Sequence, residues 1–542
     1  MSVKKKIASI FLASLCTFVF LKNANSQEVP VKSKIDHADR MQWWKDARFG
    51  MFLHWGVYSG FGGEWNGTDY GKETSGPSAE WIYLKVDIPR EDYEKAAWEF
   101  NPVHFKAAEW VKMAKEAVMK YMVLTSKHHD GFALFDTKAS DWNIMKASQY
   151  KKDLIKAYID ECHKQGMRVG LYYSHEKDWY HSRKVRNYTS PVSKDYKKLV
   201  KTHLKELLTN YGQIDLIWFD MGINEHKELN QMCHDMVRKY QPECIISSRI
   251  GSGLGDYKNL GDRELANPGE EGYLESIMTL RLNWGYDKND SEWKSSEEVI
   301  SMLSKCACRN SNFLLNIGPQ PDGRFTPEEM VRLEKVGNWT RKNGDAVYNT
   351  KGSPFKGEYK WGSLTSKNNK AYLHLFGWQG GDIQTNGIVS KVKKAYLLHN
   401  KEELRFEQTP DNAALKIFVS EQEKQQPIPV VVLELENKLE VDVAAGPTWL
   451  PPVIKHMPRK EVTGIAKSVE GTKFIIGDST KEHSFSLNED IEYRINQNGK
   501  IRQVQGFHLE DGKQYSVVYT LDHDPKINII TAIAGEDMVE NL

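Results

Sequence analysis

The chain carries almost no net charge: 74 lysines and arginines face 73 aspartates and glutamates over 542 residues, a balance of +1. Without a basic excess it lacks the electrostatic footprint of a nucleic-acid binder, and without either excess it offers no general hold on a highly charged partner. Cysteine is also scarce. Cys16 falls in an N-terminal apolar run, and Cys162, Cys233, Cys244, Cys306 and Cys308 form an odd, sparse set. Such a set is not a disulfide framework, and Cys306-Ala307-Cys308 lacks the spacing of a zinc site, so these residues read as buried thiols. Beyond the N-terminus there is no apolar run long enough for a membrane span. No glycine-rich dinucleotide fingerprint or P-loop follows an apolar strand, and no Gly-x-Ser-x-Gly elbow is present. Internal repeats and low-complexity tracts are lacking too.

The first 26 residues read as a signal peptide. Lys4–Lys6 supply a basic start, Ile7–Leu21 an apolar stretch, and Ala24-Asn25-Ser26 a small-residue cleavage site. Leu15 precedes Cys16 where a lipoprotein signal takes a small residue, so no lipid anchor is read there. The expectation is an exported protein, periplasmic or extracellular, without an integral span once the leader is removed.

From Arg48 to about Asn349, short apolar runs alternate with amphipathic stretches. Strands are expected at Phe49–His54, Tyr121–Thr125, Arg168–Tyr173, Leu216–Asp220, Cys244–Ser248 and Phe313–Ile317. Helices are expected at Phe105–Val118, Asp153–Gln165 with Gly166 as cap, and Asp195–Asn210. Two later helices open with capping boxes, Ser295 with Glu298 and Thr326 with Glu329, the second with Pro327 in its first turn. This rhythm implies a parallel sheet covered by helices, and at about 300 residues it favours an irregular (β/α)8-like barrel over an open sheet. After about Lys351 the pattern becomes short alternating strands separated by turns such as Asn498-Gly499 and Asp511-Gly512, the signature of a C-terminal β-sandwich. The organisation expected is a leader over 1–26, a barrel over 27–350, a sandwich over 351–450 and an additional β-rich unit over 451–542.

Residues 121–132 are the most informative segment. An apolar strand emerges directly into Lys127-His128-His129-Asp130 and then Gly131. In a barrel, the C-terminal ends of strands form the mouth where active sites are built. The other strand ends contribute His54-Trp55-Gly56, Tyr172-Tyr173-Ser174, Trp218-Phe219-Asp220 and Ser248-Arg249. Asp220 ends a strongly apolar strand, and Trp218, two residues back, lies on the same face. A carboxylate beside an indole suits a sugar: the ring packs on the C–H face while the acid approaches the anomeric carbon. Capping of the following helix is the plainer role for Asp220. Asp215 reads as a turn residue. The histidines suggest a metal at first sight, but adjacent His-His differs from the His-x-x-x-His spacing of a helical site, and imidazoles bonded to ring hydroxyls account for them without one. A glycosidase needs a second carboxyl group. Asp256, Asp262, Glu264, Glu270, Glu271 and Glu275 are all candidates, and local spacing does not choose among them.

Five segments in order carry a specific resemblance: Arg48-Phe49-Gly50-Met51-Phe52-Leu53-His54-Trp55-Gly56, Lys127-His128-His129-Asp130-Gly131-Phe132, Trp218-Phe219-Asp220, Asn283-Trp284-Gly285-Tyr286 and Leu314-Leu315-Asn316-Ile317-Gly318-Pro319. Over about residues 36–350 the chain resembles glycoside hydrolase family 29, the α-L-fucosidases. The resemblance implies an irregular barrel followed by a sandwich, and a retaining exo-α-L-fucosidase that acts on fucosylated glycans or glycoconjugates without cofactor or metal. It places Asp220 as nucleophile and His54, Glu80, Trp81, His128, His129, Tyr172, Trp218 and Arg249 around the fucose. For the acid/base, relatives with an Arg-x-Gly segment like Arg249-Ile250-Gly251 have a glutamate slightly more than ten residues later. That is Glu264 here. Glu275 is second, corresponding to a glutamate that often follows tryptophan, where this chain has Leu274. A binding protein that has lost catalysis and an α-L-galactosidase are the alternatives.

Overall fold

The computed structural model describes residues 36–71, 79–181, 192–412 and 414–451, together with the backbone of strands between 459 and 535. The expected leader over 1–26 lies outside the described residues. Eight parallel strands form one sheet: β1 (Phe49–Leu53), β2 (Tyr121–Lys127), β3 (Arg168–Ser174), β4 (Leu216–Asp220), β5 (Ile245–Ile246), β6 (Lys258–Asn259), β7 (Leu274–Thr279) and β8 (Ser311–Ile317). The spatial order is β5-β4-β3-β2-β1-β8-β7-β6. The sheet curls until its edges meet. A parallel bridge joins Ser247 to Tyr257, and the Asp256 N–H donates to the Ile246 carbonyl at 2.8 Å.

The barrel is irregular where the expected strand over Cys244–Ser248 shortens to two residues. Ser248–Ile250 turns into a 3-10 helix instead, and among the described residues no α-helix separates β5 from β6 or β6 from β7. Elsewhere helices cover the sheet. Asp153 and Ser193 cap helices Leu154–Gln165 and Lys194–Asn210, and Gly166 ends the first of these with φ 69°. Both capping boxes are formed, at Ser295/Glu298 and Thr326/Glu329, with Pro327 opening its helix.

Side chains alternate along the strands, with a break in β2, whose register shifts between Thr125 and Lys127. Phe52, Val123, Tyr172, Trp218, Ile277 and Leu314 gather in one cluster inside the barrel. Their neighbours Met51, Leu124, Leu171, Ile217, Met278 and Leu315 pack outward with the helices. That phase puts Trp218 and Asp220 on the inner face, opposite Tyr172 and Ser174 of β3 in register.

Two smaller sheets follow. One orders the strands Ser363–Lys367, Lys370–His374, Val430–Leu435 and Val392–Leu397; the other orders Ile383–Asn386, Ala414–Ile417 and Phe406–Gln408. Leu364, Leu373, Leu433, Ile383, Leu415 and Ile417 share the core between them. The sandwich braces the barrel: the Arg309 guanidinium pairs with Glu358 at 2.8 Å, and the Trp339 indole donates to the Ile428 carbonyl at 2.9 Å. A seven-stranded sheet runs through Arg459–Glu470 to Asn528–Gly535, antiparallel except for one parallel pair. Among the described residues no helix is long and apolar enough to cross a membrane.

Candidate active site

Asp220 is the last residue of β4. It does not cap a helix, since the next one begins at Lys227 and takes no side-chain cap. Three donors hold its carboxylate instead. The Tyr172 hydroxyl donates to Oδ2 at 2.8 Å, the Met221 N–H to Oδ1 at 2.8 Å, and Arg249 Nη1 to Oδ1 at 3.3 Å. Met221 adopts φ 61°, a left-handed conformation that a side chain of its size rarely accepts, so the turn behind Asp220 stores strain. Gly222 allows the second approach. Its N–H bonds the Arg249 carbonyl at 2.8 Å, and a Cβ there would lie 2.2 Å from the Ile250 backbone. This contact seats Arg249 beside Asp220 despite their separation in sequence.

Arg249 also bonds Asp262 through Nη2, and its guanidinium lies 5.1 Å from the Trp218 ring centre. Burial opposes its charge, but Asp262 and Asp220 outweigh burial and raise its pKa. Trp218 stacks on Tyr172 with centroids 5.6 Å apart. An aromatic floor therefore lies under the carboxylate.

The histidines form the wall. His54 Nδ1 bonds Asn316 Oδ1 at 2.7 Å, and Asn316 Nδ2 donates to the Trp284 carbonyl at 2.7 Å. The amide oxygen can only accept, so His54 carries its proton on Nδ1 and leaves Nε2 as an acceptor. Burial lowers its pKa to about 4. His129 Nδ1 bonds Ser174 Oγ at 2.7 Å, while Ser174 donates to the Lys177 carbonyl at 2.8 Å. Its Nε2 lies 3.4 Å from Asp220 Oδ2. Burial pushes the His128 and His129 pKa values well down, so both are neutral at pH 7. The 3.4 Å contact is accordingly not an ion pair. His128 stacks on Tyr172 at 5.4 Å, and its Nδ1 has no hydrogen-bond partner.

Glu80 is brought in from the 3-10 helix Ala79–Trp81. Its Oε2 accepts the Gly285 N–H at 3.0 Å, and Asn283 Oδ1 accepts the Ala79 N–H at 2.9 Å. The Asn283-Trp284-Gly285 segment thus serves as a socket for Glu80. Burial raises the Glu80 pKa, and Oε1 is left without a partner. Two buried polar atoms without partners, on His128 and Glu80, are what a site built for a polar ligand leaves open. Trp81 stands half-buried, edge-on to His129 and to Trp179 at 5.2 Å each.

The acidic candidates separate by location. Asp256 is held by Arg40 at 2.9 Å and Arg238 at 2.6 Å, and Glu270 by Lys258 at 2.8 Å. Asp215, at the start of β4, bonds Arg168 at 2.7 Å. Glu264 is half-buried on the loop after β6 and accepts the Gly261 N–H at 3.0 Å. Glu275 is fully buried inside the barrel, where it bonds the Trp218 indole. Asp262 joins the Asp220 network through Arg249.

Lys177, Trp179 and Asn316 enter the site unforeseen. Lys177 is buried, with Nζ 4.2 Å from the centre of the Trp81 ring. Burial lowers its pKa to about 8, opposed by Asp220 and Asp262. Its position three residues past the end of β3 was the available signal, and Asn316 stood within a recognised motif. Among the described residues no group of three His, Cys, Asp or Glu side chains converges as a metal would require. The five described cysteines are free and buried.

The family profile described as Alpha-L-fucosidase matches residues 16–345. Plasma alpha-L-fucosidase of Homo sapiens is 30% identical over 342 residues, covering 59% of this chain and 72% of that protein. Among solved structures, alpha-L-fucosidase isoenzyme 1 from Paenibacillus thiaminolyticus is 31% identical with a TM-score of 0.66, covering 74% of this chain and all of that one. A GH29 alpha-L-fucosidase from Bacteroides thetaiotaomicron, seen as a covalent intermediate trapped with 2-fluoro-fucosyl fluoride, is 28% identical with a TM-score of 0.67, covering 73% of this chain and 96% of that one. With more than half of its length matched by the profile, and with an acid on an aromatic floor inside a parallel barrel, this chain belongs to the α-L-fucosidases of glycoside hydrolase family 29.

Proposed function

We propose that the protein is an exported, retaining exo-α-L-fucosidase that removes terminal α-L-fucose from glycans or glycoconjugates. The observation that carries the reading is the Asp220 carboxylate, held by Tyr172, Arg249 and the Met221 N–H above Trp218. An Asp220 oxygen attacks C1 of the fucoside as the C1–O bond to the aglycone breaks. Glu264 donates its proton to the departing oxygen, so the aglycone leaves as an alcohol. Water then gives a proton to Glu264 and attacks C1 of the fucosyl ester. Asp220 is released, and fucose leaves with its original α configuration. No step needs a cofactor. His54, His128, His129 and Glu80 bond the ring hydroxyls, and Trp81, Tyr172 and Trp218 line the apolar face of the sugar.

Replacing Asp220 with Gly is expected to abolish turnover of an aryl α-L-fucoside, and azide to restore it with β-fucosyl azide as product. An unimpaired Asp220→Gly variant refutes the assignment; fucose binding without any turnover in the wild type supports a lectin-like protein instead. Comparing aryl L-fucosides with L-galactosides tests the remaining substrate alternative.

A second reading gives the acid/base role to Asp262, favoured by the Arg249 bridge that links it to Asp220. The two readings part in a series of leaving groups. The true acid, once replaced by its amide, loses rate on poor leaving groups, keeps it on activated ones, and yields α-fucosyl azide with azide. Export is tested by whether the mature chain begins after Ser26.

A further inference from the structure

Glu275 is a fully buried carboxyl group that takes no part in the chemistry above. It lies on β7, within the barrel interior, and three side chains from three other strands donate to it. The Trp218 indole N–H reaches Oε2 at 2.8 Å. Asn259 Nδ2 reaches the same oxygen at 2.7 Å, and the Tyr121 hydroxyl reaches Oε1 at 3.2 Å. Burial lifts the Glu275 carboxyl to about 7, against the opposing pull of the Trp218 and Tyr121 donors. The cost is offset by control of one object, the Trp218 ring. Tyr172 stacks on that ring, and Arg249 sits against it. Both then donate to Asp220.

We propose that Glu275 is a positioning residue: it pins the Trp218 indole and, through it, sets Tyr172 and Arg249 around Asp220. The proposal rests on Asp220 being the nucleophile. It separates Glu275 from any acid/base role, because its oxygens lie at the edge of the Trp218 indole and already accept from three donors.

A glutamine at 275 keeps an oxygen for Trp218 and Asn259 and turns its amide toward the Tyr121 oxygen, whereas a leucine leaves the indole donor unpaired. E275Q is therefore expected to stay within about threefold of wild-type kcat/KM, while E275L loses about 10- to 100-fold, the rate equivalent of a buried donor left without an acceptor. The loss should fall mainly on kcat, be equal across aryl α-L-fucosides of graded leaving-group acidity, and be unmoved by azide. Asn259→Ala, which removes one brace and leaves both carboxylate and indole, should show a smaller loss of the same kind and stands in if E275L does not fold. Full activity in both E275L and Asn259→Ala overturns the proposal. So does an E275Q defect that grows with leaving-group pKa, which marks an acid/base. Asp220→Gly with azide runs alongside: if azide rescues it while E275L and Asn259→Ala are both fully active, the nucleophile stands and only the positioning role falls.

Discussion

Lys127 and Asp178 form a buried ion pair at 2.9 Å, with neither side chain exposed. The pair ties the end of β2 to the loop after β3. Lys127 precedes His128 and His129, and Asp178 lies between Lys177 and Trp179, whose N–H donates to the His129 carbonyl at 2.8 Å. Gly131 is part of the same seam: at φ 75° a Cβ there would sit 2.3 Å from an Asp178 oxygen. Burial alone would raise the Asp178 pKa, but Lys127 and then His181 hold it well below the usual carboxylate range. Lys127→Met removes the cation and leaves the carboxylate in the interior, a change that costs about 3–5 kcal/mol. Asp178 keeps the His181 N–H at 2.9 Å, the Tyr180 N–H at 3.2 Å and the His181 ring at 3.0 Å. These donors place the loss near the low end, about 3 kcal/mol, or roughly 6 °C in Tm at about 2 °C per kcal/mol for a large domain. Thermal unfolding followed by tryptophan fluorescence at pH 7 measures it. Adding Asp178→Asn to Lys127→Met should recover most of the loss, because the stranded charge is then gone. The pH dependence has a definite sign. The folded pKa of Asp178 is depressed, so its contribution is present above the unfolded value and is lost as pH falls below about 4. Lys127→Met should shallow that acid limb. A Lys127→Met protein melting within about 1 °C of wild type, or a double variant worse than the single, refutes the reasoning.

His54, lowered to about 4, should show no ring titration by NMR between pH 5 and 8; a midpoint near 6.5 means that its imidazole is not desolvated as described. Gly50 lies under Tyr121, with a Cβ there 2.5 Å from the ring. Gly50→Ala should therefore cost about 1–3 kcal/mol by overpacking, read as a lower Tm, and an unchanged Tm would mean that the ring has room to move. Trp81→Ala should raise KM for an aryl α-L-fucoside by about ten- to a hundredfold through lost apolar contact, with a smaller change in kcat; an unchanged KM removes Trp81 from the pocket. The five buried cysteines should be inert to a thiol reagent in the folded protein and react together on denaturation.

The linear order of residues determined a good deal. Period-two alternation in Leu216–Asp220 was enough to put Trp218 and Asp220 on one face, and the capping boxes at Ser295 and Thr326 marked two helix starts, because these are local rules of backbone geometry. The order of five short motifs was enough for the family. What the chain order left open was depth and partnership. Glu264 and Glu275 stand eleven residues apart on adjacent segments and look alike as letters. The phase and register of β7 bury Glu275 against the N–H edge of the Trp218 indole, and the loop after β6 leaves Glu264 near solvent with Asp262 turned to Arg249. Only curling of the sheet brings β4, β5 and β7 around one interior, so only the tertiary structure decides which carboxyl group meets Arg249 and which braces the floor beneath it. The Lys127–Asp178 pair has the same origin: the charge of each residue is evident in isolation, but whether it is solvated or paired depends on the end of β2 meeting the loop after β3 at the barrel mouth.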